Sequence, residues 1–114
     1  MTDQFPGLHA SQFNNTYTDA ENRDFTVQFN AITQIMAEAM IAKKSADDPI
    51  VQDAVRQHYE FCLQFWTPSR AAYKSLALSY ILPSPYRDTY EGVATGLGQF
   101  THDAVVVWAD ANLE

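Results

Sequence analysis

His58 and Cys62 stand four residues apart in "HYEFC", a spacing at which two side chains meet on one face of a helix. A histidine beside a thiol is the minimum that a cysteine nucleophile needs, so this pair is the first candidate for chemistry. The competing reading is a small buried thiol next to a hydrogen-bonded core histidine, the commoner use of a free cysteine. His9 and His102 are too distant in sequence to add a local ligand. No HExxH, EF-hand loop, P-loop or GxGxxG occurs, and "GLG" at 96–98 is too short to cradle a phosphate. The acid pairs Asp19/Glu21 and Asp47/Asp48 read as charges at helix termini. The expectation is therefore a protein that is not an enzyme, with no metal site and no cofactor. What the chain offers instead is aromatic surface. Residues 65–93 hold four of its six tyrosines, one of its two tryptophans and three of its five prolines.

Those side chains must be positioned by helices. Thr18-Asp19-Ala20-Glu21 has the capping-box spacing, in which a hydroxyl and a carboxylate satisfy the first free N–H groups reciprocally. Asp48-Pro49, Thr67-Pro68 and Ser84-Pro85 each place an oxygen-bearing cap before a proline whose φ is already helical. A fifth start falls at Thr95, after Gly92. These signals predict helices over 19–43, 49–66, 68–82, 85–91 and 96–111, with residues 1–17 as a loose leader and 18–114 as one helical domain.

Apolar residues recur with helical period. Phe25, Phe29, Ile32, Met36 and Ala39 line the first helix, while Val27, Ile35 and Met40 lie off that stripe and broaden its apolar face. Val51, Ala54, Val55, His58, Cys62, Phe65 and Trp66 line the second, and Tyr73, Leu76, Ala77, Tyr80 and Ile81 the third. The last helix shows Leu97, Phe100, Ala104, Val107, Trp108 and Ala111, with Val105 and Val106 making its middle apolar nearly all round, so it is expected to be central. No segment alternates long enough for a strand. The fold expected is all-α.

Composition sets the class. The 114 residues make one domain, and with 46% apolar and 18% charged residues the chain is globular. A formal charge of −7 repels a phosphate backbone, so no direct nucleic-acid contact is expected. The start lacks the features of a signal peptide, and no apolar run approaches the ~20 residues of a membrane span, which predicts no membrane association and a cytoplasmic location. A single cysteine fits a reducing compartment.

In order along the chain stand His58, the aromatic pair Phe65-Trp66 with Thr67-Pro68, a helix ending in "LALSYI", the turn "LPSPYRDTYEG", the step "TGLGQF" and the closing "HDAVVVWADAN". This succession resembles the TipAS domain, an antibiotic-recognition domain found at the C-terminal end of certain MerR-type transcription activators and also free-standing. The resemblance covers residues 16–114 and is strongest from His58 onward. There are departures. The family's Leu-Gly-x-Met-Tyr stands here as Leu76-Ala77-Leu78-Ser79-Tyr80, its Arg-Phe step as Tyr86-Arg87, and its Pro-Gly-Leu-Ala as Thr95-Gly96-Leu97-Gly98. The founding thiopeptide sensor of the family captures its ligand through a cysteine in the segment matching 68–77, and no cysteine lies there, so covalent capture is not expected.

The resemblance implies a globin-like bundle of about five helices with a cleft for large, rather apolar, often macrocyclic or peptide-derived ligands such as thiopeptides or albicidin-like antibiotics. It further implies a first helix that stays mobile until a ligand closes against it. The residues supply material for such a cleft. His58, Phe65, Trp66, Tyr73, Tyr80, Tyr86, Tyr90 and Phe100 are the candidate ligand-binding residues, since aromatic rings give large rigid contact area and their polar tips orient a ligand. The function expected is to sense or sequester such a ligand, with no DNA-binding part in these 114 residues. The alternative is a helical interaction module that forms a homodimer through the broad apolar face of 25–40. A haem carrier using His58 and His102 is a more distant alternative.

Overall fold

The computed structural model describes residues 17–114. Among them the chain forms helices α1 (Asp19–Ile41), α2 (Pro49–Cys62), α3 (Arg70–Leu78), α4 (Pro85–Val93) and α5 (Leu97–Asn112), and no strand. The fold is all-α, as expected. The leader assigned to 1–17 lies outside the described residues except for Tyr17. No helix among the described residues is long and apolar enough to cross a membrane.

Three of the five helix starts follow the expected chemistry. Thr18 accepts from the Glu21 amide at 3.1 Å while the Glu21 carboxylate accepts from the Thr18 amide at 2.9 Å, a complete capping box. Asp48 accepts from the Ile50 amide and Ser84 from the Arg87 amide, each with proline in the first turn.

The other two differ. The cap of α3 is Ser69, whose hydroxyl accepts from the Ala72 amide at 3.1 Å, rather than Thr67. A residue before proline is driven out of the helical region, so Thr67 and Pro68 belong to a connection; α2 already ends at Cys62 instead of reaching 66. Pro68 is buried there, its carbonyl accepting from the Tyr59 hydroxyl at 3.2 Å. The start of α5 is Gly96, in the left-handed region with φ 88°, and it has no side chain to cap the helix. Glu91 on α4 supplies the missing cap. Its two carboxylate oxygens accept from the amides of Gly96 at 2.9 Å and Gly98 at 3.0 Å, and these two bonds hold its carboxyl below the usual carboxylate range.

The last helix packs against each of the other four and is the central element, as its apolar middle implies. Its buried face is rotated from the expected stripe. Leu97, Gly98, Thr101, Ala104, Val105 and Ala109 are buried, whereas Val107 and Ala111 are exposed. Gly98 is compatible with this rotation where a larger residue is not. A Cβ built on it would overlap the Tyr80 carbonyl oxygen outright, so α5 approaches the end of α3 as closely as backbone allows. On α1 the expected stripe of Phe25, Phe29, Ile32, Met36 and Ala39 is buried in full. Of its off-stripe residues, Ile35 and Met40 pack partly against the core, and Val27 stays 65% exposed.

The two glycines of this region should respond oppositely to alanine. Gly98→Ala forces backbone apart and is expected to cost about 1–3 kcal/mol. A Cβ on Gly92, inside α4, meets nothing within 4 Å, so Gly92→Ala should be neutral or stabilising by up to about 1 kcal/mol. Urea denaturation of both variants measures this; equal effects would contradict the close approach of α5 to α3.

Candidate functional site: a polar-tipped aromatic interior

His58 reaches the interior from the middle of α2 and is buried, with 3% of its surface exposed. The Tyr73 hydroxyl lies 2.7 Å from its Nδ1, and the two rings stack at 5.7 Å. We assign Tyr73 as the donor, because so short a separation suits O–H···N better than N–H···O, and the other acceptor within its reach, the Val55 carbonyl, is at 3.5 Å. Nδ1 is then the acceptor, and Nε2 carries the ring proton. Nε2 faces the Tyr80 hydroxyl at 3.5 Å, a long and weak contact. Tyr80 in turn packs its ring 4.5 Å from that of Tyr90.

All three tyrosines are buried, and burial pushes their hydroxyl pKa values up, so they remain neutral donors. Burial likewise drops His58 to about 4. The interior is thus a set of neutral polar groups inside an apolar shell.

Phe29 of α1 closes this group from above, 6.4 Å from His58 and 5.9 Å from Tyr90. Through Phe61, at 6.2 Å from Phe29, the rings continue to Phe25, Phe65 and Tyr17, where Phe25 and Phe65 meet edge to face at 4.6 Å. On the other side Tyr73 meets Tyr59 at 5.2 Å, and Tyr59 meets Trp108 at 5.0 Å.

Of the eight candidate residues, the fold brings His58, Tyr73, Tyr80 and Tyr90 into one buried junction. Phe65, Trp66, Tyr86 and Phe100 are half-buried and pack at the edge of the core. The Trp66 indole N–H is shielded from solvent and has no hydrogen-bond partner among the described residues.

At the junction of α1, α2, α4 and α5 lies a small cavity lined by Ile32, Thr33, Met36, Val55, His58, Tyr90, Thr101 and Val105. Ile32 and Met36 form its α1 side. Thr33 and Thr101 are its unforeseen members. Their spacing from Phe29 and Leu97 places both on buried helical faces, and that was the available signal, but hydroxyls at such positions read as surface. Phe61, three residues after His58, is likewise a ring that the α2 stripe omitted.

A family profile for the TipAS antibiotic-recognition domain matches residues 8–108 of the 114. The chain belongs to the TipAS domain family. No curated protein and no solved structure matches it. In this TipAS domain Cys62 is fully buried, and burial pushes its thiol up to about 12, which removes the thiolate that the cysteine–histidine reading requires. No cluster of metal-ligating side chains occurs among the described residues.

The depressed histidine predicts a pH dependence of the TipAS fold. Above pH 6.5 His58 is neutral in both states. Between 6.5 and about 4 the unfolded chain binds a proton that the folded one refuses, so stability falls as pH falls, by about 3 kcal/mol in all. His58→Leu should lower stability at pH 7 by about 1–3 kcal/mol, since Tyr73 loses its acceptor. It should also flatten the decline between pH 6.5 and 4.5. Chemical denaturation across that range measures both, and an unchanged slope in the variant would contradict the buried neutral histidine.

Proposed function

We propose that this domain binds a bulky, partly apolar antibiotic-type compound, macrocyclic or peptide-derived, without forming a covalent bond, in the aromatic interior that α1 covers. The observation that carries the reading is the convergence of His58, Tyr73, Tyr80 and Tyr90 on one junction closed by Phe29, Ile32 and Met36 of α1. Membership of the antibiotic-recognition family supports it. Withdrawal of α1 uncovers a wall of rings with polar tips, the surface that suits large ligands with scattered hydrogen-bonding groups. Phe65, Trp66, Tyr86 and Phe100 border its mouth in this reading.

Sensing requires that ligand binding change the shape of the domain, and a hinged α1 provides such a change. Sequestration requires only affinity. A transcriptional role follows if the domain acts with a DNA-binding partner or segment; the acidic surface of the 114 residues does not itself suit DNA. A cytoplasmic location accords with the single reduced thiol.

Tryptophan fluorescence offers the test, because the chain has only Trp66 and Trp108. Titration with thiopeptides and albicidin-like compounds should give saturable quenching with one of them, with no mass adduct on the protein. Cys62→Ser should retain the affinity, and Trp66→Ala should lose at least tenfold while its melting temperature holds. Absence of saturation across the panel, or an adduct at Cys62, would overturn the reading.

A further inference from the structure

Residues 42–48 join α1 to α2, and the two halves of this connection are held differently. The half next to α2 is fastened to the body of the domain. The Gln52 side-chain amide donates to the Ala46 carbonyl at 2.7 Å and to the Ala104 carbonyl of α5 at 3.2 Å. The Asp48 amide donates to the Ser45 carbonyl at 3.1 Å, and the Asp48 carboxylate caps α2. Ala46 is thereby tied to the pair formed by α2 and α5.

The half next to α1 is exposed from Ile41 to Ser45, and its amides bond to the last turn of α1 itself. Lys43 donates to the Met40 carbonyl and Lys44 to the Ala39 carbonyl, each at 2.9 Å. This form of helix ending holds one residue in the left-handed region, where glycine is the usual occupant, and an apolar residue one place further on commonly secures it. Neither feature is present here. The left-handed residue is Lys43, with φ 64°, the only non-glycine residue at positive φ among the described residues, and the next is the exposed Lys44. A Cβ at such a φ crowds the following carbonyl oxygen, a cost that glycine escapes. At Gly96, where a left-handed residue opens α5, the chain does use glycine.

We infer that Lys43 is the hinge on which α1 swings, and that the strain of its left-handed backbone is released when α1 lifts. The inference rests on the proposed function, in which α1 covers the aromatic interior. Rotation about the Lys43 dihedrals gives up the bonds to Met40 and Ala39, returns the lysine to negative φ, and leaves Ala46 and the chain beyond it in place. The freed amides already lie at the surface, where water replaces their partners. Only the closed form carries the strain, so the strain shifts the balance toward the open form.

Lys43→Gly tests the hinge by amide hydrogen exchange in the free protein, with no antibiotic present. In the native protein the amides of α1 should exchange faster than those of α5, because α1 opens by itself. Glycine relieves the closed form relative to both the open and the unfolded forms, so the amides of both helices should slow by the same factor, about threefold or more. Lys43→Asn, which tolerates the left-handed region without the added freedom of glycine, should slow both in the same direction. Slowing confined to α5 would overturn the hinge and leave the covering role of α1 intact, since Lys43 would then stay left-handed while α1 opens. Unchanged exchange of both helices in both variants would also overturn it, for there would be no strain to release. Equal exchange of α1 and α5 in the native protein would overturn the hinge together with the covering role of α1.

Discussion

The hydrogen bond from Tyr73 to His58 Nδ1 is the constraint around which this interior is arranged. An imidazole placed in a dry core must stay neutral and must have its acceptor nitrogen satisfied, or the burial costs several kcal/mol. Tyr73 meets that need from α3, its ring stacked on the imidazole at 5.7 Å. The tyrosine hydroxyl is itself buried and must remain protonated to donate, and its upward-shifted pKa ensures this. Tyr80 and Tyr90 extend the same logic into the turn after α3 and into α4. The core is therefore held by a few directional bonds as well as by area.

The helices differ in how they are tied to this centre. α5 approaches the backbone of Tyr80, in the turn after α3, at Gly98, and is joined to α4 by the carboxylate of Glu91 and to α2 by Gln52, whose amide donates to the Ala104 carbonyl at 3.2 Å. α1 lies on the assembly through Phe25, Phe29, Ile32, Met36, Ala37 and Ala39, and its buried Thr33 hydroxyl meets that of Tyr90 on α4. Its cross-helix bond to the α2 end, between Gln64 and Gln28 at 3.0 Å, is solvent-exposed. Exposed polar contacts compete with water and add little, so opening α1 costs its apolar area together with the buried Thr33–Tyr90 contact. In the proposed function α1 is the cover of the aromatic interior.

Much of this was legible in the sequence because local chemistry and tertiary structure agree. The caps at Thr18, Asp48 and Ser84 formed as their spacing implies, and the stripe from Phe25 to Ala39 is the buried face of α1. His58, Tyr73 and Tyr80 fell on helical stripes and were drawn together. What escaped was set by long-range contact. Thr95 lost its cap role to a carboxylate from another helix, and the buried face of α5 turned toward Thr101 and Ala109 because Gly98 lets that side approach Tyr80. Thr101 carries no local mark of burial beyond its distance from Leu97. A hydroxyl inside the core becomes visible only when the fold shows what surrounds it.

Amide hydrogen exchange tests the central claim most directly, since it reports the opening of each helix separately. In the free protein the amides of α1, residues 19–41, should exchange faster than those of α5, residues 97–112. On addition of the thiopeptide or albicidin-like compound that quenches tryptophan fluorescence, α1 should slow selectively while α5 stays nearly unchanged. Equal protection of α1 and α5 in the free protein, with no change in α1 on binding, would show that α1 is fixed core and that the ligand lies elsewhere.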